Sequence, residues 1–294
     1  MEALPTRRRV VRGLALTALG AIAAVGAGEV LGVHRIPTES PASPLPAEGF
    51  DWGPWSALLG EVVQDGFVRY DLLAARQDRL EAICARLAQT GPRTDPERFA
   101  APGAALAYHL NAYNALVLLG VRQHWPLTSI ADVHGAVEPV PHLGFFWALR
   151  FRLDGRWRHL YGLEHDSLLG PEPDARIHAA INCASWSCPP LRDTAFVPEG
   201  IDQQLDTATR DWARRFGILE ADADTVLVHP LMDLYADHFA AHARRQGWGD
   251  RPIDFILRWL DRPEAARIDG LLTGGAQLAW PPYDWRLNDA RTRR

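Results

Sequence analysis

Two thiols and an imidazole occur within one short stretch of this chain. The segment 177–192 reads IHAAINCASWSCPPLR and contains His178, Cys183 and Cys188. A cysteine thiolate acts as a nucleophile or as a metal ligand, and two neighbouring cysteines can instead form a disulfide. The segment therefore has three alternative interpretations: a nucleophilic site, a metal site or a structural disulfide.

A nucleophilic site needs more than a thiol, because a base must take up its proton and a third group must orient that base. Histidine, glutamate and asparagine supply these groups in other segments of the chain. The residues from which such a site could be built are Cys188, Cys183, His165, His178, Glu164 and Asn111, with Asn114 as a second amide. Asn111 and Asn114 are three residues apart, which places them on one face of a helix, where they either lock a neighbouring backbone or orient a catalytic group.

The order of apolar residues in 177–181 predicts a short strand that leads into Cys183. On a strand, residues an odd number of positions apart point to opposite faces, so His178 and Cys183 would face apart. Cys188 is reached through a turn and can fold back to either face. This argument favours Cys188 as the nucleophile and His165 as a general base from another segment, with a buried structural histidine as the alternative for His178.

The metal and disulfide interpretations lead to different functions. Zinc accepts mixed Cys, His and Glu ligands, but the spacing H-x4-C-x4-C matches no standard zinc motif. No cofactor is therefore predicted, with zinc as the alternative. A Cys183–Cys188 disulfide would close a loop of six residues, stabilise the fold by about 2 kcal/mol and prevent thiol catalysis. The protein would then be a binding or scaffold module.

The N-terminal segment 1–33 predicts export. Residues 6–12 (TRRRVVR) are basic and resemble a twin-arginine signal, and 13–33 form a weakly apolar run. An uncleaved anchor is the alternative, because the run is near the minimum length that spans a bilayer. In either case the mature chain is expected in the periplasm or outside the cell, and it would contact a membrane only through this segment, if the segment is not cleaved. An oxidising compartment favours the disulfide.

The rest of the chain is predicted to form one domain. Residues 34–49 have the composition of a Pro/Ser-rich linker, and 50–290 are predicted as the folded part. The chain has 294 residues, of which 47% are hydrophobic and 23% charged, as is typical of a globular protein. A net charge of −5 gives no reason to expect nucleic-acid binding. The expected partner is a small-molecule or peptide substrate.

Local patterns predict a helix-rich α+β fold. Helices are predicted over 71–88 (with Asp71 as N-cap), 104–124, 201–216, 230–246 and 252–260. Strands are predicted over 66–70, 177–181 and 225–228, a hairpin over 145–163 around Asp154-Gly155, and a helical or turn segment from 164. Short strands between helices favour one small, mostly antiparallel sheet.

Several blocks of the sequence resemble the DUF547 family, a family of unknown function. The similar blocks are GFVRYDLL (66–73), NAYNAL (111–116), LEH (163–165), IHAAINCASWSCPPLR (177–192), QQLDTATRDW (203–212) and PYDWRLN (282–288). The resemblance spans about 52–288 and implies that the family's motif residues correspond to Asn111, Tyr113, Asn114, Glu164, His165, His178, Cys183, Cys188 and Pro189. Such a set is more typical of a catalytic site than of core packing.

Taken together, the residues and the resemblance predict an exported protein with one α+β domain, for which a papain- or transglutaminase-like arrangement is one candidate. The predicted activity is that of a thiol-dependent hydrolase or acyl/peptidyl transferase. Cys188 is the expected nucleophile, His165 the base, and Asn111 or Glu164 the orienting group. The residues expected to contact substrate are Asn114, Tyr113, Trp186, Tyr283 and Trp285.

Overall fold

The computed structural model describes residues 34–38, 49–134 and 144–293. The predicted export segment and most of the predicted linker lie outside the described residues. Within them the chain forms an α+β domain in which helices predominate, which confirms the predicted fold class.

Helices supply most of the framework. They are α1 (Gly53–Val62), α2 (Tyr70–Ala74), α3 (Gln77–Gln89), α4 (Ala104–Gln123), α5 (Gly144–Trp147), α6 (Leu160–Leu163), α7 (Ile177–Ala180), α8 (Ile201–Trp212), α9 (Leu231–Leu234), α10 (Ala236–Arg245), α11 (Pro252–Leu257) and α12 (Arg262–Thr273). The π-helical turns Glu164–Leu169 and Ala213–Gly217 follow α6 and α8, and 3₁₀ turns cover Ile130–Asp132 and Ala290–Thr292.

The strands are short. They are β1 (His34–Ile36), β2 (Val63–Gln64), β3 (Phe67–Val68), β4 (Leu149–Leu153), β5 (Arg156–Arg158), β6 (Ile218–Ala221), β7 (Thr225–Val228) and β8 (Gln277–Ala279). The pairs β2–β3, β4–β5 and β6–β7 are antiparallel, and β1–β4 and β7–β8 are parallel. Most pairings are therefore antiparallel, as predicted, but the described strands are divided among small sheets instead of forming one.

Helix α4 is the centre of the larger apolar core and begins and ends as predicted, within one residue. It is long and apolar enough to cross a membrane, but 83% of its most apolar window is buried inside the protein. It packs against α3, against α6 and against the π turn Glu164–Leu169. α4 therefore carries Asn111, Tyr113 and Asn114 into the interior, next to the turn that carries Glu164 and His165.

The predicted hairpin is shorter than expected. Strands β4 and β5 turn at Asp154-Gly155, whose φ values of 48° and 74° are the left-handed values that such a turn requires. The flanking residues form α5 and α6 instead of extending the strands. The Asp154 carboxylate accepts hydrogen bonds from the backbone N–H groups of Arg93 and Thr94 at 2.7 and 2.9 Å, which ties the turn to the loop before α4.

The segment 177–181, predicted as a strand, forms the helix α7 over Ile177–Ala180. All four residues of this helix are buried, so the alternation of residue types in the sequence does not correspond to one buried and one exposed face. Four residues are too few to distinguish the 3.6-residue period of a helix from the 2-residue period of a strand. Ala179 and Ala180 favour a helix. The strand-based argument that His178 and Cys183 face apart is therefore wrong.

Other boundaries also differ from the predictions. Asp71 lies inside α2 and is not the N-cap of a long helix, because the chain breaks between α2 and α3. Its carboxylate instead binds the Arg69 guanidinium at 2.7 and 2.9 Å. Residues 34–36, within the predicted linker, pair with β4 as β1. Helix α12 and strands β6 and β8 were not predicted from the sequence.

A second cluster of buried apolar side chains lies in the C-terminal part of the chain. It includes Trp212, Val226, Phe239, Phe255 and Ile268. Helix α7 contributes to both clusters, since Ile177 and Ala180 belong to the larger core and Ala179 belongs to the second. The segment that carries His178 and leads to Cys183 therefore runs along the junction between the two cores.

Candidate active site

Cys183 and Cys188 lie side by side in the loop that follows α7. Both are free, partly exposed thiols, and their sulfur atoms are 2.6 Å apart. The backbone N–H of Cys183 also points to the Cys188 sulfur, at 2.8 Å. The loop therefore brings the two sulfurs into direct contact.

A buried amide sets the shape of this loop. Asn182 donates to the carbonyl oxygen of Pro189 at 2.7 Å and accepts from the backbone N–H of Ala184 at 2.9 Å. Asn288 donates to the same Asn182 side chain at 3.0 Å. Ala184 has a φ of 65°, a left-handed value that favours glycine, so the surrounding bonds hold the backbone in a strained turn. Asn182 thus ties together both ends of the cysteine loop.

The surroundings of Cys183 favour its thiolate. Its Sγ lies 3.0 Å from the Ser185 hydroxyl and 3.3 Å from the Tyr283 hydroxyl, in addition to the Cys188 thiol. Burial raises the pKa of Cys183, but hydrogen bonds from Cys188, Ser185 and Tyr283 outweigh burial and lower the pKa to about 7. Burial and the neighbouring Cys183 raise the pKa of Cys188 well above its ordinary value. The pair therefore ionises first at Cys183, whereas the sequence argument favoured Cys188.

Glu164 is buried between two tyrosines. Its carboxylate oxygens accept hydrogen bonds from the hydroxyls of Tyr113 at 3.1 Å and Tyr235 at 2.8 Å. Burial raises the pKa of Glu164, against the opposing effects of His165 and the two tyrosine hydroxyls. Burial, Glu164 and the cysteine thiolates raise the pKa of both tyrosines well above 10. The charges of Glu164 and of the two thiols therefore act on the same two tyrosine hydroxyls.

Neither predicted histidine hydrogen-bonds to a sulfur within the described residues. The Nε2 atom of His178 lies 3.0 Å from Nδ1 of His238, and the two rings are nearly parallel. His165 donates from Nδ1 to the carbonyl oxygen of Tyr161 at 3.0 Å, and its imidazole stacks on the Tyr161 ring. Burial, together with His238 and His165, lowers the pKa of His178 well below 6.5, so its ring is neutral.

The two asparagines of α4 bind backbone. Asn111 donates to the Phe196 carbonyl oxygen at 2.7 Å and accepts from the Phe196 N–H at 3.0 Å. Asn114 donates to the Ala180 carbonyl oxygen at 3.0 Å and accepts from the Asn182 N–H at 2.8 Å. Asn114 therefore satisfies the C-terminal end of α7 and positions the first residue of the cysteine loop. This arrangement matches the structural alternative for the pair.

The three aromatic residues predicted to contact substrate have different surroundings. Tyr283 binds the Cys183 sulfur and also lies 2.9 Å from the Ser185 hydroxyl oxygen. The Trp285 ring packs on Tyr283, with ring centroids 4.5 Å apart. Trp186 packs on Phe67 and carries the Arg286 guanidinium on its face. Tyr283 therefore hydrogen-bonds directly to the thiol pair.

Several residues of this cluster were not predicted. They are Asn182, Ser185, Tyr235, His238 and Asn288. Asn182 and Ser185 adjoin Cys183 in sequence and could have been included on that ground. Tyr235 and His238 belong to the C-terminal part of the chain, and no motif marks them.

The described residues contain no group of three or more His, Cys, Asp or Glu side chains suited to a metal ion. The arrangement of Cys183 and Cys188 instead satisfies their sulfurs with hydroxyl, thiol and backbone donors. The zinc alternative therefore remains a prediction.

Comparison with known proteins places the central part of this site in a recognised family. Residues 99–213 match the model of DUF547, described as a protein of unknown function. No curated protein matches the chain, and no solved structure matches it. The match includes α4, Glu164 and the cysteine loop, while Tyr235, His238 and Tyr283 lie beyond it. The match to DUF547 over residues 99–213 agrees with the resemblance that the sequence blocks indicated.

Proposed function

We propose that the protein is a cysteine-dependent hydrolase or acyl/peptidyl transferase in which the Cys183 thiolate is the nucleophile. The observation that carries this proposal is the convergence of three side-chain donors, Cys188, Ser185 and Tyr283, on the Cys183 sulfur. Hydrogen bonds to the charged form lower the pKa of a thiol, and the thiolate is the nucleophilic form. Cys188 then serves as a donor to the nucleophile.

In this reaction the Cys183 thiolate attacks the carbonyl carbon of an ester, thioester or amide. The tetrahedral intermediate expels its leaving group and becomes an acyl-cysteine, which water or a second acceptor then attacks. The leaving group needs a proton, and the hydroxyls of Tyr283 and Ser185 adjoin the sulfur and are 2.9 Å apart. Burial and the thiolate charges raise the pKa of Tyr283 well above 10, which keeps its hydroxyl protonated.

Glu164 is the carboxylate that we assign to accept the proton of the attacking water or acceptor; it then releases this proton to solvent, and solvent returns a proton to the hydroxyl that protonated the leaving group. A general base is most effective when its pKa approaches the working pH, and burial raises the pKa of Glu164 in that direction. The neutral pair His178–His238 is the alternative acceptor, because its rings pack beside Tyr235, which binds Glu164.

The proposal predicts a covalent acyl-cysteine. Reduced protein is mixed with p-nitrophenyl acetate, and the modified residue is located by peptide mass mapping. We expect a rapid release of one equivalent of nitrophenolate and one acetyl group on Cys183. Cys183→Ala should abolish both, whereas Cys84→Ala should retain them because Cys84 is a buried core thiol outside the site. Acetylation first at Cys188, or unchanged acylation of Cys183→Ala, would show that Cys183 is not the nucleophile.

Thiol–disulfide exchange is a second candidate, favoured by the 2.6 Å separation of the two sulfurs. The Cys183 thiolate would attack a substrate disulfide, release one thiol and form a mixed disulfide. Cys188 would then attack Cys183, release the second thiol and leave a Cys183–Cys188 disulfide. The two electrons and two protons lost by the cysteines appear in the two substrate thiols.

Oxidised glutathione separates this candidate from acyl transfer. With exchange as the function, Cys188→Ser should accumulate a glutathione mixed disulfide on Cys183, and the wild-type protein should release two glutathione thiols. With acyl transfer as the function, the p-nitrophenyl acetate reaction should persist in Cys188→Ser, and the wild-type protein should turn over ester far faster than disulfide.

A further inference from the structure

A separate cavity lies one helical turn from the His178–His238 pair. Helix α10 carries His238 and His242, which are four residues apart and so share a face of the helix. His242 lines a cavity of about 390 Å³ that also extends over the end of α8 and the segment 258–259. This volume lies in the range of small-molecule sites.

Two of the three acidic residues that line this cavity are paired with one arginine. Arg176 binds Asp174 and Asp206, both at 2.6 Å, and also binds Asp202 at 2.9 Å. Three carboxylates therefore share one guanidinium, and the two of them that line the cavity, Asp174 and Asp206, are held to it. Glu172 is the remaining acidic residue of the lining.

Three other arginines line the cavity, and none of them has an anionic partner among the described residues; Arg245 donates to the carbonyl oxygen of Pro173. Arg210 and Arg258 form no hydrogen bond or ion pair within the described residues, and each lies over an indole ring at 5.6 Å. The rings are those of Trp259 and Trp248, respectively. Stacking on an aromatic face holds a guanidinium in place but leaves the N–H groups at its edge available. The guanidinium groups of Arg210 and Arg258 are therefore fixed in position, and their N–H groups donate no hydrogen bond to another described residue.

His242 adds a neutral donor to the same cavity. It is only 4% exposed, and its Nδ1 accepts a hydrogen bond from the backbone N–H of Ala175 at 3.2 Å and lies 3.4 Å from a carboxylate oxygen of Asp174. Because Nδ1 accepts, the ring proton lies on Nε2, which has no hydrogen-bond partner among the described residues. Burial lowers the pKa of His242, which is consistent with a neutral ring. At the wall of the cavity, the Nε2 atom of this nearly buried side chain thus lacks a hydrogen-bond partner among the described residues.

We propose that this cavity binds a small organic anion through a carboxylate or phosphate group held by Arg210 and Arg258, with the Nε2–H of His242 as a further donor. Guanidinium groups bind such planar or multidentate anions through paired charge-assisted hydrogen bonds. Because the arginines are already held over Trp248 and Trp259, less side-chain freedom is lost on binding. The proposal is independent of the thiol chemistry of Cys183.

Titration calorimetry on the full chain tests this site directly. The probes are benzoate, its uncharged counterpart benzamide, and inorganic phosphate. We expect at least one of the two anions to bind, and benzamide to bind at least about tenfold more weakly than benzoate. Arg210→Gln and Arg258→Gln should each weaken anion binding by about tenfold or more, with unchanged melting temperatures.

Arg244→Gln is the matched control, because it removes the same charge as the Arg210 and Arg258 substitutions. Arg244 lies on the same helix as His242 but does not line the cavity. This control should leave anion binding within about twofold of the wild-type value, since screened surface charges contribute little. Binding of neither anion, equal binding of benzoate and benzamide, or equal losses in Arg244→Gln and Arg258→Gln would each overturn the proposal. Binding that is unchanged in Cys183→Ala would confirm that the two sites are separate.

Discussion

Cys183→Ser is expected to lower the rate of acyl transfer by at least about 10³-fold, whereas Cys188→Ser is expected to lower it by less than about tenfold. The serine hydroxyl of the first variant does not ionise at neutral pH, so the nucleophile is lost. In the second variant the new hydroxyl still donates to the Cys183 sulfur, and the donors Ser185 and Tyr283 remain. The measurement is the turnover of p-nitrophenyl acetate at neutral pH by reduced protein.

A matched control for these variants is Cys84→Ser, which makes the same substitution at a buried thiol of α3. Its turnover per folded molecule should equal that of the wild-type protein. Far-ultraviolet circular dichroism of all three variants checks that the fold is retained. An active Cys183→Ser together with an inactive Cys188→Ser would reverse the assignment of the nucleophile.

The choice between the two thiols illustrates what could not be predicted from the sequence. The loop and its two cysteines are visible in the chain as one block, and Tyr283 was predicted to contact substrate. However, besides the hydrogen bonds from Cys188 and Ser185, the pKa of Cys183 depends on a hydrogen bond from Tyr283, which lies 100 residues away. Such a contact has no local pattern, so the sequence argument relied on strand periodicity and favoured Cys188.

The elements that were predicted correctly are those determined by residues close together in the sequence. The helix α4 follows from a long apolar run, and the turn at Asp154-Gly155 follows from residues that adopt left-handed backbone conformations. Helix α7 was mistaken for a strand because it is short and buried on all sides. His238 was missed for a different reason, since it reaches His178 only through the packing of α10 against the junction of the two cores.

Asn182→Ala is expected to lower the free energy of unfolding by about 3 kcal/mol or more. The substitution leaves the Pro189 carbonyl, the Ala184 N–H and the Asn288 amide without their partner, and Asn182 is 3% exposed, so water does not replace it. Each unsatisfied buried group costs about 1–3 kcal/mol. Urea unfolding followed by tryptophan fluorescence measures the change.

Ser187→Ala is the control for this variant because it lies in the same loop and removes a single hydrogen bond, to the N–H of Asp284 at 3.0 Å. It should cost about 1 kcal/mol. The Asn182 variant should also react more slowly with alkylating agents at Cys183, because the loop no longer holds the sulfur among its donors. Equal losses of stability in the two variants would contradict the role assigned to Asn182.

The central claim is that Cys183 is the thiolate of the site at neutral pH. The most direct measurement is the rate of alkylation of the reduced protein by iodoacetamide as a function of pH, with each modified cysteine identified by peptide mass mapping. Below its pKa the thiol is protonated and reacts slowly, and above its pKa the thiolate reacts fast. Since hydrogen bonds lower the pKa of Cys183 to about 7, we predict that Cys183 is modified first, with a half-maximal rate near that pH. Modification of Cys188 before Cys183, or a half-maximal rate for Cys183 at the value of an ordinary thiol, about 8.5, would contradict the account.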